Sequence, residues 1–523
     1  MGKYIAKRLL YGALSAVAVV AIVMVMIYSM LDRMQIFASD PSFSRQTSNT
    51  RETYCYAKWE QYGYLDYVTY QDWLTELVQK GELDEATRDK VASIARKEAS
   101  ESPEVAEYTA KFREYYESQG YTVTRLDAQM NGKRLVSGGQ QALFAAKDKS
   151  LAERIWKYFT GLIFIDNIHN TPEVQGERGL TFTWHDPAYG GEKFSPAILG
   201  NGTVHKYLLY MDNQFPFIHQ NIATIRLGMS YSVNTGVDVF ETMTKTQGAY
   251  VKSTVSYPTG LVEESADDLH SATYVQGSHE ISALNQARFN DDYTNVSTVK
   301  SGLSKMGYSF VNGIISTILA YVIGLPLGLQ MARHKDGWAD KLGTAYIIFL
   351  IAVPSLAYIF MFKAIGGAVF HLPTSFDLES KSKLMFVLPI VSLALPAIAN
   401  LMKWMRRYMI DQMNSDYVKF ARSSGLSEGE IFAKHIWKNA AIPILHGIPA
   451  SIIFSMVGAI ITERVYVVPG AGNLLTEAIN KYDNGVIVGV TLFYAVLSVI
   501  SIILGDVLMA TADPRISFTS KGR

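Results

Sequence analysis

Apolar positions along the 523-residue chain fall into two arrangements. Near the N-terminus and over the last two-fifths they form continuous charge-free runs. Between Asp32 and Lys305 they are interrupted by polar residues at helical or strand spacing. A helix needs about 20 apolar residues to cross roughly 30 Å of hydrocarbon. Six runs reach or approach that length: 9–31, 306–332, 342–362, 384–402, about 439–462 and 484–505. The first is preceded by Lys3, Lys7 and Arg8, as a signal peptide would be. Its apolar part is long, however, and Ser-Met-Leu-Asp-Arg after it is a poor cleavage site, so it is read as a retained helix. The pattern divides the chain into a first segment and helix (1–31), a polar domain (32–305), a five-helix membrane core (306–516) and a tail (517–523).

Inside the polar domain, residues 70–119 read as helices. Ser102-Pro103-Glu104 is a start signal and Gly120 a stop. Between them Val105, Tyr108, Phe112, Tyr115 and Tyr116 mark one face. Alternation over 121–126, 180–184 and 249–257 predicts strands, giving an α+β domain.

Charge sets the orientation. With the N-terminus inside, sixteen Lys and Arg lie in the inner flanks and tail, against five in the short outer loops: Lys363, Lys381, Lys383, Arg464 and Lys481. The positive-inside rule therefore puts both termini in the cytoplasm and residues 32–305 outside the cell. Overall charge is zero, so no global field recruits nucleic acid. The single cysteine, Cys55, excludes an internal disulfide framework and reads as a packed or idle thiol.

Motifs for catalysis are missing. There is no GxxxxGK[ST] phosphate loop, no GxSxG elbow and no His/Cys cluster at metal-ligand spacing, so no catalytic residue and no metal ligand is assigned. Gly470-Ala-Gly472 reads as a turn. Lys363, Glu463 and Arg464 fall at the ends of spans, where side chains reach water, and Asp506 lies near the inner end of the last. Such a chain binds no cofactor of its own, and uphill transport would need energy from another subunit.

One inner loop carries more pattern than a connector requires. In ARSSGLSEGEIFAKHIWKNAAIPIL (421–445), two short helical patterns are broken at Gly425. The second opens with Ser427 and Glu430, the spacing of a capping box. This stretch resembles the cytoplasmic "EAA" loop of ABC-importer permeases, in the version of the oligopeptide, dipeptide and nickel systems. The acid that names the general motif is replaced by Phe420-Ala421-Arg422. ITERVYVVPGAGNLLTEAI (461–479), GDVLMATADPRI (505–516), FPFIHQNIATIRLGMSYS (215–232) and IGLPLGLQMAR (323–333) resemble other parts of the same family. The whole is similar to the B-type permease of the Opp/Ami oligopeptide importers, in its enlarged Gram-positive form.

That resemblance implies a mainly α fold: six transmembrane helices of type I ABC-importer permease architecture, with the extracellular α+β domain inserted between helices 1 and 2. It implies a non-catalytic subunit in a bacterial cell membrane, forming half of a pathway for oligopeptides. The partners would be a second homologous permease, two cytoplasmic ATPases that bring ATP and Mg, and a lipid-anchored extracellular peptide-binding protein, all set in membrane lipid. In the loop at about 411–443, Phe420, Ala421, Arg422, Gly425, Leu426, Ser427 and Glu430 would couple to an ATPase. Pathway candidates are the polar or small residues of the spans: Asn312, Ser316, Ser355, Ser392, Ser455 and Gly458. These types also serve ordinary helix packing. A membrane-anchored receptor would need fewer spans and an inner effector domain; a secondary transporter would need paired repeats and intramembrane ionisable residues.

Overall fold

The computed structural model describes residues 2–512 apart from 172–173, 175, 187–190, 193, 212–216, 249, 253–254, 257–261, 264–297, 301, 381 and 456–458. Among the described residues four helices are long and apolar enough to cross a membrane: Tyr4–Met30, Lys305–Arg333, Lys383–Met413 and Asn484–Thr511. A bent pair, Trp338–Ala352 and Ser355–Phe370, which meet at 110°, is long and apolar enough only when its two helices are taken together. The sequence run 342–362 therefore does not form one straight helix. Pro354 lies at the break, where it removes a backbone donor and disfavours helical geometry in the residue before it. The run at 439–462 also differs. Its helix, Trp437–Phe454, carries Pro443 and Pro449, and the chain resumes as a separate short helix at Ile460–Tyr466.

Close helix packing holds the membrane core. Gly324 and Gly328 lie one turn apart on Lys305–Arg333, and a Cβ on them would stand 3.0 Å from the Leu401 Cβ and 2.8 Å from the Met405 Cβ. This small-xxx-small spacing lets two backbones approach where no hydrophobic driving force separates helix from lipid.

Between the first and second long helices the chain folds as helices and antiparallel strands. Leu65–Thr69, Ala142–Asp148 and Thr122–Leu126 form one sheet with Ala142–Asp148 central. Helices Tyr70–Gln79, Glu85–Val91 and Pro103–Ser118 build its core through Trp73, Leu74, Phe112 and Tyr116. The Ser102 side chain caps the last of these helices as expected, Gly120 ends it with φ +80°, and Val105, Phe112 and Tyr116 are buried. Tyr115 is half exposed rather than inward, because its neighbour Tyr116 takes the core position. Gly179–Thr183, Ala197–Asn201, Tyr207–Met211 and Ile218–Gln220 form a second, four-stranded meander. The expected strand at 249–257 is two short pieces, Tyr250–Lys252 and Val255–Ser256.

One carboxylate joins this domain to the membrane core. Asp483, fully buried just before the last long helix, accepts from the Ser230 hydroxyl at 2.7 Å. It also accepts from the backbone N–H groups of Tyr231, Ser232 and Val233, each at 2.9 Å, and from that of Val486 at 3.1 Å. The neighbouring Asn484 donates to the Tyr64 hydroxyl at 2.9 Å, and Tyr62 stacks on Tyr231 with centroids 4.0 Å apart. Asp483→Ala would strand these buried donors. We expect it to cost about 3 kcal/mol or more of stability, read as a lower Tm of the detergent-solubilised protein. Asp483→Asn keeps one acceptor oxygen and loses less.

Candidate functional site

The loop at 415–436 is a hairpin of two short helical arms. Its first arm, Asp416–Ser423, buries Val418 and Ala421 and leaves Phe420 74% exposed. The arm closes with a Schellman motif: Gly425 N–H donates to Arg422 O at 3.2 Å and Leu426 N–H to Ala421 O at 3.3 Å. Gly425 has φ +81°, and a Cβ there would meet no atom within 4 Å. Its requirement is thus purely conformational. Ser427 then opens the second arm with a complete capping box. Its hydroxyl accepts from Glu430 N–H, and the Glu430 carboxylate accepts from Ser427 N–H, both at 3.3 Å.

Across the turn, Arg422 grips Glu428 with two hydrogen bonds, at 2.5 and 3.0 Å. This pairing holds the Glu428 carboxyl below its ordinary 4.5, while the Ser427 side chain, followed by its backbone N–H, does the same for Glu430. Carboxylates lowered in the fold stabilise it above their ordinary value and lose that contribution as pH falls through the folded one. These two contributions are therefore fully present above the ordinary 4.5 of the carboxyls and are lost as pH falls below it.

Beneath the hairpin the packing is continuous. Val418, Ala421, Ile431 and Ile436 join Met405 and Met409 of Lys383–Met413, Ala332 of Lys305–Arg333, and Ala440 and Ile444 of Trp437–Phe454 in one buried cluster. Ile431–Ile436 is a π-helical turn that feeds directly into Trp437–Phe454. At the same end of the bundle Arg406 donates to both carboxylate oxygens of Asp340, at 2.5 and 2.7 Å, tying Trp338–Ala352 to Lys383–Met413. The hairpin thus packs directly on three helices of the bundle.

Each described pathway candidate has its own local environment. Ser316 and Ser455 donate to carbonyls of their own helices, Gly313 O at 2.8 Å and Ile452 O at 2.5 Å. Ser392 pairs with the Tyr466 hydroxyl at 2.8 Å. Ser355 begins the second arm of the bent pair and is half-buried. Gly458 lies outside the described residues. Asn312 stands apart: it is 1% exposed, and both ends of its amide are buried with no hydrogen-bond partner among the described residues.

Glu463 corrects the reading of a water-reaching span end. It is 2% exposed, accepting from the Ser309 hydroxyl at 2.6 Å and from Asn473 N–H at 3.1 Å. The apparent turn at 470–472 leads into helix Ala471–Asn480, whose first turn the carboxylate caps. A Cβ at Gly470 would overlap the Glu463 carboxylate. The spacing of an acid and a Gly-x-Gly start several residues later was the available signal; what hid it was the position of Glu463 beside an apolar run. Asp506 is also engaged, accepting from Tyr4 at 2.6 Å, with His446 Nε2 at 3.4 Å and Arg8 at 3.6 Å.

A bundle of long apolar helices with close glycine packing and a capped hairpin at one end defines a multi-pass membrane component. Residues 324–518 match the family model described as binding-protein-dependent transport system inner membrane component. The chain belongs to this permease family, and is 33% identical over 529 residues, all of both chains, to the oligopeptide transport system permease protein AmiC of Streptococcus pneumoniae. The dipeptide transport system permease protein DppB of Bacillus subtilis is 29% identical over 214 residues, 41% of this chain and 69% of that one. Among solved structures, the inward-facing MetNI methionine ABC transporter aligns with 40% of this chain and 94% of its own, at 14% identity and a TM-score of 0.33.

Gly425→Val is expected to cost the hairpin about 1 kcal/mol or more through the backbone alone, and Ser427→Ala about 1 kcal/mol through the lost cap. Hydrogen exchange should quicken over 416–436 in both variants and stay unchanged in Lys383–Met413. Faster exchange along that helix would contradict a local effect.

Proposed function

We propose that this chain is one of two permeases in an ATP-driven importer of oligopeptides, and that the hairpin is its seat for an ATPase subunit. The full-length relationship to AmiC carries the reading. Phe420 and Leu426, apolar side chains exposed on the turn beside Arg422, suit insertion into a groove of a partner. ATP and Mg would be bound by two cytoplasmic ATPases. Their closure would draw the hairpins of the two permeases together and reshape the bundle through the buried cluster beneath.

On this reading the bent pair is one span and Trp437–Phe454 with Ile460–Tyr466 another, broken one, giving six. Residues 32–305 lie outside the cell and receive a lipid-anchored peptide-binding protein. Peptides pass between the two permeases, near the buried amide of Asn312.

Two measurements test this. In the assembled transporter, Phe420→Ala and Gly425→Val should keep expression but lower ATPase co-purification or uncouple hydrolysis from peptide uptake by about tenfold. Full coupling in both would refute the seat; uptake of free amino acids but not of peptides would refute the substrate class. Topology is read by cysteine labelling, because burial raises the native Cys55 thiol to about 11 and keeps it unreactive at neutral pH. Ser118→Cys should react with an impermeant maleimide on whole cells and Ser423→Cys only after lysis. The reverse pattern would invert the orientation.

A further inference from the structure

We propose that the seam between the first and last long helices binds one anionic phospholipid, its phosphate at Lys7 and Arg8 and an acyl chain along the aliphatic floor. The two helices pack on each other along much of their length, and two of the contacts lie near the cytoplasmic end on the proposed orientation. Tyr4 bonds Asp506 near their ends, and at Gly12 a Cβ would overlap Val499. Along this seam runs a groove of about 420 Å³, open to the surroundings of the bundle.

Its mouth is cationic. The first helix, Gly2–Met30, contains no acidic residue. Lys7 forms no ion pair among the described residues and holds its Nζ 5.6 Å from the Tyr11 ring centre. Arg8 is half exposed: its Nε donates to Tyr4 at 2.9 Å, and the nearest carboxylate, Asp506, is 3.6 Å away and shared with His446. Below this mouth, Ile502 and Ile503 offer an apolar floor. Neighbouring Leu9, Leu10 and Leu14 are exposed as lipid-facing residues are. Basic side chains at the end of a helix seam above an aliphatic groove match a lipid phosphate over its acyl chain. A soluble phosphate would use only the mouth. On the proposed orientation this is the cytoplasmic leaflet, where anionic lipid is drawn to basic residues.

The test titrates the detergent-solubilised full transporter with phosphatidylglycerol, phosphatidylcholine or glycerol 3-phosphate and counts bound lipid by native mass spectrometry. Wild type should retain one phosphatidylglycerol at this seam in preference to phosphatidylcholine. Lys7→Glu should weaken it at least about fivefold, as expected for a charge near a phosphate, and Lys7→Gln less. Lys341→Glu, an exposed charge elsewhere in the inner flanks, should match wild type. Equal retention in Lys7→Glu, equal binding of phosphatidylcholine, or displacement of the lipid by glycerol 3-phosphate at matched concentration would each overturn the proposal. Lipid counting needs no transport, so failure here leaves the permease reading standing, and failure of peptide uptake leaves this site standing.

Discussion

A buried carboxylate with five donors around it holds the two halves of this molecule in register. Asp483 sits at the start of the last long helix and takes its donors mainly from residues 230–233, two hundred and fifty positions earlier. An ionised group leaves water only when hydrogen bonds replace its hydration, so the arrangement tolerates little displacement. Leu227 and Val239 complete the joint by packing on the same helix as part of a shared apolar cluster. The large polar domain is therefore fixed to the bundle through a side-chain-specific contact, in addition to chain connectivity.

At the other end of the bundle the same economy of motion recurs with different chemistry. The hairpin has no deep core of its own, and its two arms are held by backbone devices, a left-handed glycine and a reciprocal cap. Its underside belongs to the buried cluster of three long helices. Force applied at Phe420 would meet packed side chains immediately, and close-packed interiors transmit strain instead of absorbing it. The Asp340–Arg406 pair braces the adjacent helix at the same level.

Much of this was legible in the sequence because it is local. Charge-free runs announce helices that must satisfy their own backbone in hydrocarbon, and four of them appear as helices that contain most of the expected runs, one continuing past Met402 to Met413. Ser102, Gly120, Gly425 and the Ser427–Glu430 box act within four residues of themselves, so their spacing sufficed to place helix ends. The motifs around 421–445 and 461–479 carried the family for the same reason.

The tertiary structure alone decided which of those elements meet. Hydropathy treated 342–362 and 439–462 as continuous spans, whereas the chain bends in the first at Pro354 and resumes in the second as a separate helix at Ile460. Glu463 reads as a span-end acid until Ser309, 154 positions earlier, is seen to donate to it. Asp483 and Asp506 likewise gain their roles from residues more than two hundred positions away. Local pattern fixes backbone conformation because hydrogen bonding and sterics act over a few residues. The partner of a buried charge is set by where helices cross, and that depends on the whole fold.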